Sequence, residues 1–349
     1  MRIAQVAPLV YPTPPPDYGG IESFLALLVD SLIDRGHDVT LFGTGDTHTR
    51  ARLHAIVDEC LAAQYARGLA SHRHEHYHNA AMATMLAHAA DFDVIHCHLG
   101  CRRLPFSALS PTPILFTLHD GLNIDDRWVL TRYAEARVVA ISRDQVRDLP
   151  HSRQERIPVI HHGCEFRAGY VPATERGDYL MFLGRMGPDK NPVDAIRIAR
   201  SVGCRLVLAG GPTPWVESEQ RYVAEQVAPH VDGEQIVHVG RVNLQRKRAL
   251  LDGALALLFP VRWREPFGLV MVEAMEAGVP VLAYANGSVR EVIDEGVTGY
   301  LGASVEDLAA LVPAALRLDR QRLRSHAASR FSLDRMVSEY EALYRSVVR

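Results

Sequence analysis

Arg2-Ile-Ala-Gln-Val-Ala7, closed by Pro8, is a short apolar run of the kind a parallel strand buried on both faces requires. A loop with Pro12, Pro14, Pro15 and Pro16 follows, too poor in N–H donors to continue a ladder. Gly19-Gly20 then opens a helix. Phe24, Leu28 and Leu32 form one row on it and Leu25, Val29 and Ile33 the next, which makes a broad apolar face. Gly36 stands where a helix stop is expected, and Val39–Phe42 is the next strand. The chain therefore opens as strand, loop, helix, strand.

Working outward, similar strands are expected at 94–99, 114–118, 138–141 and 157–161, with a helix over 79–90. From Gly163 to Gly177 the pattern lapses into Gly, Pro and charged residues, as a linker would. A second series begins with strands at 179–183, 205–209, 236–239, 255–259 and 279–283. Strands alternating with helices imply parallel sheets covered on both faces. Two such series predict an α/β protein of two Rossmann-like, doubly wound domains, over 1–170 and 171–332. A last helix over 333–349 returns toward the first. Open parallel sheets bind ligands at the carboxyl ends of their strands, so the expected site is a cleft between the domains.

Bulk properties narrow the function. The 349 residues suit two domains, and 48% hydrophobic with 23% charged residues is a globular balance. A net charge of −3 gives no general attraction to nucleic acid or anionic membrane. The five scattered cysteines suggest no disulfide framework, residues 1–7 lack the apolar length of a signal peptide, and no apolar run is long enough to span a bilayer. A cytoplasmic protein is expected. Lys190 and Lys247 are the only two lysines among 38 basic residues.

The strongest chemical signal is Glu265-Pro-Phe-Gly-Leu-Val-Met-Val-Glu273, just after a strand. Two acids bracket Phe267, Gly268 and Leu269 at the start of a helix, whose unpaired N–H groups and positive dipole end suit a diphosphate. Glu273 is placed to accept from two neighbouring ribose hydroxyls. Glu265, in the loop before the helix, is placed toward a transferred sugar.

On these residues the chain resembles the retaining glycosyltransferases of family 4, whose architecture is called GT-B. Glu265 and Glu273 match the family's Glu-x7-Glu motif, and the resemblance continues through Glu273–Val281, Asn286-Gly287 to Glu291, and Gly296–Gly299. Phe182–Asn191 resembles the strand and loop carrying the family's diphosphate-binding cations, here Arg185 and Lys190. The family usually has Lys-Gly where this chain has Lys190-Asn191. Ala209-Gly210-Gly-Pro212 and Val239-Gly-Arg241 match turns near the nucleotide base. Gly19-Gly20-Ile-Glu22 resembles the glycine-rich loop against the donor phosphates. Thr117-Leu-His119-Asp120 resembles the segment holding the active-site histidine. The match is strongest over 180–300 and thinnest over 45–90.

The resemblance implies a metal-independent transfer of a hexose from a nucleotide sugar with retention, and no cofactor. The C-terminal half holds the donor and the N-terminal half the acceptor. The pterin glucosyltransferases that share the opening favour UDP-glucose. The acceptor, whether small molecule, glycan or lipid-linked sugar, and the oligomeric state are not legible. The catalytic set is His119, Glu265, Arg185 and Lys190; donor binding falls to Gly19, Gly20, Arg185, Lys190, Gly210, Phe267, Gly268, Leu269 and Glu273. Rival readings are a sugar-nucleotide 2-epimerase of the same architecture and a non-catalytic sugar-nucleotide-binding protein.

Other patterns fit a metal or lipid less well. Asp91-Phe-Asp93 imitates a metal clamp but precedes a strand, away from the ligand-binding ends. His72, His74, His76 and His78 alternate, as a solvated loop or an extended metal-binding segment. His96-Cys-His98 puts both imidazoles on one face of a strand in a structural role. Arg102-Arg103 is too short for a polybasic anchor.

Overall fold

A computed structural model of the chain describes residues 1–17, 19–69, 74–172 and 177–348, so His72 lies outside the described residues. The chain divides into two compact units, Met1–Gly163 with Leu333–Arg349, and Cys164–Ser332.

The first unit holds β1 (Arg2–Val6), β2 (Asp38–Thr44), β3 (Arg52–Val57), β4 (Val94–Cys97), β5 (Ile114–Thr117) and β6 (Arg137–Val139). They form one sheet in the order β3-β2-β1-β4-β5-β6, every neighbouring pair parallel. The strand order reverses between β1 and β4, where Gln5 lies opposite His96. Helix α1 (Gly20–Asp34) buries Phe24, Leu25, Leu28, Val29 and Leu32, the two apolar rows expected of it. Gly36, at φ 82°, takes the left-handed position after its end. Helix α2 (His74–Ala87) follows β3.

The second unit holds β7 (Tyr179–Leu183), β8 (Arg205–Ala209), β9 (Ile236–Gly240), β10 (Leu257–Phe259), β11 (Val281–Tyr284) and β12 (Gly299–Gly302). Its sheet, also all parallel, runs β12-β11-β10-β7-β8-β9 and reverses between β7 and β10. Helices α3 (Pro192–Ser201), α4 (Leu244–Gly253) and α5 (Leu269–Glu276) begin near the carboxyl end of this sheet. The last helix, α6 (Leu333–Val347), belongs to the first unit. There it buries Met336, Val337, Tyr340, Tyr344 and Val347. At about 25 cal/mol per Å² and 150–250 Å² per ring, Tyr340 and Tyr344 alone contribute several kcal/mol as an upper bound. Arg35 and His37 clamp the same helix through Glu341.

Three local expectations are corrected. Residues 157–161 form no strand: Pro158 breaks the donor ladder, and one isolated bridge joins Val159 to Ala140. The histidine-rich run is helical from His74, so spacing by four, not by two, brings imidazoles together. Much of the supposed linker is built into the second unit. There Arg167 binds Asp252 and Glu276, and Tyr170 donates to Asp252 at 2.7 Å. No helix among the described residues is long and apolar enough to cross a membrane.

Candidate functional site

In the second unit the loops at the carboxyl ends of four neighbouring strands are stitched together. Gly184 donates to Ala209, Gly210 to Gly240, Met186 to Gly211, and Arg262 N–H to Asp189 across the point where strand order reverses. Gly210 sits at φ 130°, and a Cβ there would lie 1.9 Å from the Gly184 carbonyl oxygen, so only glycine lets these turns approach.

On that floor the two lysines meet the two motif glutamates. Lys190 Nζ lies 2.5 Å from Glu265 Oε2, and Lys247 Nζ lies 2.5 Å from Glu273 Oε1. Trp263 donates its indole N–H to Glu265 at 2.6 Å and presents its ring to Lys190 Nζ at 4.7 Å. Arg185 is held by Asp189 and Glu219. Each of these three cations is balanced by carboxylates. Lys190 leads into α3 through Asn191, a buried residue at φ 56°. Its amide donates to Asp194 at 2.6 Å and to the Pro260 carbonyl at 3.1 Å. The left-handed turn favours Gly or Asn, so an Asn stands here without the penalty that a Cβ-bearing residue lacking a local polar partner would incur.

Gly268, at φ 79°, caps α5, and a Cβ on it would press Met271 and Phe259. The first N–H groups of α5 therefore follow directly on the motif loop. Leu269 is partly exposed there. Phe267 is 2% exposed as a whole residue, its ring 6.0 Å from that of Phe331.

The first unit collects a second group at its own reversal point. Gly19, at φ 151°, precedes α1, and a Cβ on it would meet the Glu22 carboxylate at 2.8 Å. Gly20 is the first residue of α1 and is exposed. Burial pushes Glu22 up to about 7, against hydrogen bonds from its own and Tyr11's backbone that pull it down. Just beyond β5, His119 is buried, its Nε2 2.9 Å from His98 Nδ1. His162 stacks on it at 5.4 Å and Phe24 meets it edge-on at 5.2 Å. Burial pushes its pKa down to about 3, which keeps the ring neutral at working pH. Its Nδ1 has no hydrogen-bond partner among the described residues.

Sequence reasoning missed Trp263, Glu219 and Asp189 as partners, and it set His98 aside. Of these only His98 had a usable signal, its place one residue after β4. The remaining patterns resolve as structure. Asp93 binds the Arg2 side chain and backbone at the opposite end of the sheet. His74, Glu75 and His78 gather within 4.8 Å. Glu75, however, is taken by Arg102 and Arg103, both at 2.5 Å, and their charges oppose a cation there.

Residues 18–166 match the description Glycosyltransferase Family 4, and residues 171–330 match Glycosyl transferases group 1. The chain belongs to the family 4 glycosyltransferases. D-inositol 3-phosphate glycosyltransferase of Mycobacterium avium is 31% identical over 266 residues, 69% of this chain and 60% of that protein. The chain thus spans less than two thirds of the curated relatives it matches. Among solved structures, sucrose-phosphate synthase from Thermosynechococcus elongatus superposes with a TM-score of 0.80 at 19% identity, covering 99% of this chain and 98% of that one. Anabaena HepE in complex with UDP-glucose gives 0.74 at 16% identity, covering 99% and 100%. These likenesses establish the GT-B fold.

Proposed function

We propose that the protein transfers glucose from UDP-glucose to a hydroxyl-bearing acceptor, with retention at the anomeric carbon and without a metal ion or cofactor. The observation that carries this reading is Lys190 paired with Glu265 of the Glu265–Glu273 loop, with Arg185 in the loop after β7 that also carries Lys190, at the reversal point of the second sheet. Fixed cations there neutralise the charge that grows on a departing diphosphate, the task a metal performs elsewhere. Family membership supports transfer, and HepE, described with UDP-glucose, supports the donor.

The second unit holds the nucleotide sugar: Glu273 takes the ribose, Arg185 and Lys190 the diphosphate, Glu265 the hexose. The first unit holds the acceptor. The bond from C1 to the phosphate oxygen breaks while the acceptor oxygen bonds C1 from the same face. The acceptor proton passes to the leaving phosphate oxygen. His119, neutral at working pH, cannot serve as the acid; it positions the sugar.

Incubation with UDP-glucose and a panel of acceptors, followed by NMR of the anomeric coupling, tests the reading. An α-linked product is expected. A β-linked product removes retention, and a 2-epimer formed without acceptor removes transfer itself.

A further inference from the structure

His119 stands at the end of a continuous file of buried polar groups that reaches the C-terminal helix. His119 Nε2 meets His98 Nδ1 at 2.9 Å, His98 Nε2 meets Gln5 Oε1 at 2.9 Å, and Gln5 Nε2 meets Tyr344 Oη at 3.2 Å. Tyr344 Oη then meets His96 Nδ1 at 2.7 Å, His96 Nε2 meets Thr117 Oγ1 at 2.7 Å, and Thr117 Oγ1 meets Tyr340 Oη at 3.1 Å. Gln5, His96, Thr117, Tyr340 and Tyr344 are each 0% exposed, and His98 is 2% exposed.

Resting on the proposed function, we infer that His98, Gln5 and Tyr344 are positioning residues that fix which ring nitrogen of His119 carries its proton. Each neutral imidazole has one N–H and one lone pair, each hydroxyl one proton, and the Gln5 amide one donating and one accepting end. Gln5 donates its Nε2 to Tyr344, and its Oε1 can only accept, so His98 Nε2 donates to it; neutral His98 then accepts at Nδ1, and His119 must donate from Nε2. The His119 tautomer is thus set by the Gln5 amide, held by Tyr344 and read out through His98, none of which touches a ligand. Burial holds His96 and His98 well below the ordinary histidine range, so neither gains a second proton to break the pattern. Phe24 and His162 hold the ring in place. The buried Nδ1, unpartnered among the described residues, is then left as a fixed lone pair that accepts from an arriving acceptor hydroxyl, with no ring to reorient during reaction.

Two-bond nitrogen–proton correlation spectra of the histidine-labelled full chain test this without substrate. Wild type is expected to show His119 as one tautomer, one ring nitrogen in the protonated range and the other bare. Gln5→Leu and Tyr344→Phe break the file at different links and should average the two His119 nitrogen shifts. Both should lower kcat about tenfold or more while the KM for the nucleotide sugar stays within about twofold, as expected when only the orientation of a ring is lost. If Gln5→Leu fails to fold, Tyr344→Phe, which removes a single oxygen, carries the test. An averaged His119 in wild type overturns the inference. So does an unchanged His119 spectrum with unchanged kcat in a folded variant. A single tautomer that loosens in the variants, in a protein without transferase activity, removes the proposed function and leaves the proton file standing.

Discussion

Half-buried Lys190 pairs with buried Glu265, and this shapes what its removal does. If Lys190 and Arg185 neutralise a leaving diphosphate, they contribute more in the transition state than in the bound donor complex. Arg185→Ala and Lys190→Ala should each lower kcat by roughly 10²–10³ with a smaller loss of nucleotide affinity. Lys190→Ala also leaves the buried Glu265 carboxylate with the Trp263 N–H but without its counter-charge, which costs about 1–3 kcal/mol. Adding Glu265→Gln should recover the melting temperature and leave turnover low, whereas Lys190→Ala with near-parental kcat would take away the cation's role. Glu22 gives a second prediction, in pH. Its folded pKa of about 7 lies above the ordinary 4.5. Its stabilising contribution is therefore complete below pH 4.5 and is lost as pH rises through 7. The integrated difference is roughly 3 kcal/mol. Part of this is already lost at pH 5, so urea unfolding at pH 5 and pH 8 should show wild type losing roughly 2.5 kcal/mol more than Glu22→Gln, and parallel pH profiles would contradict it.

At the scale of elements, the turn from β7 into α3 depends on one left-handed residue. Asn191→Ala keeps the chain length but forces a Cβ-bearing residue without a local polar partner to φ 56°, and it removes the bonds to Asp194 and the Pro260 carbonyl. About 2–3 kcal/mol of destabilisation is expected, against about 1 for Asn191→Gly, which keeps the conformation and loses only the amide. Equal losses for the two in denaturant unfolding would show that the turn is not strained. The same residue marks how far sequence reading carried. The central strands were legible because each is a continuous apolar run, as at Tyr179–Leu183, and so was α1 through its apolar face. The edge strand Arg52–Val57 was not, since its half-exposed mixture of Arg, His and Val has no buried-strand signature. Gly299–Gly302 was hidden by its glycines. In the site, residues inside one motif were legible together. The pairing of Lys247 with Glu273 and of Arg185 with Glu219 joins positions 26 and 34 residues apart, and no local pattern encodes it.

For the molecule as a whole, each unit has its own six-stranded parallel sheet and its own buried core, and Arg185 and Lys190, the cations proposed for the diphosphate, belong to the second unit. A ligand that binds the folded chain and not the unfolded one stabilises it by mass action. At about 100 times the dissociation constant, UDP should therefore contribute roughly 2.7 kcal/mol. For a unit the size of Cys164–Ser332 this corresponds to a rise of roughly 5–11 °C in melting temperature. If Arg185 and Lys190 neutralise the diphosphate themselves, the rise must survive EDTA undiminished, because no ion then bridges protein and phosphate. It should also diminish in Arg185→Ala, by less than the loss in kcat. Three outcomes would each remove a separate part of the reading. Stabilisation by GDP but not UDP overturns the choice of donor, a shift that appears only with magnesium overturns the metal-free mechanism, and an undiminished shift in Arg185→Ala moves the diphosphate away from the loop after β7.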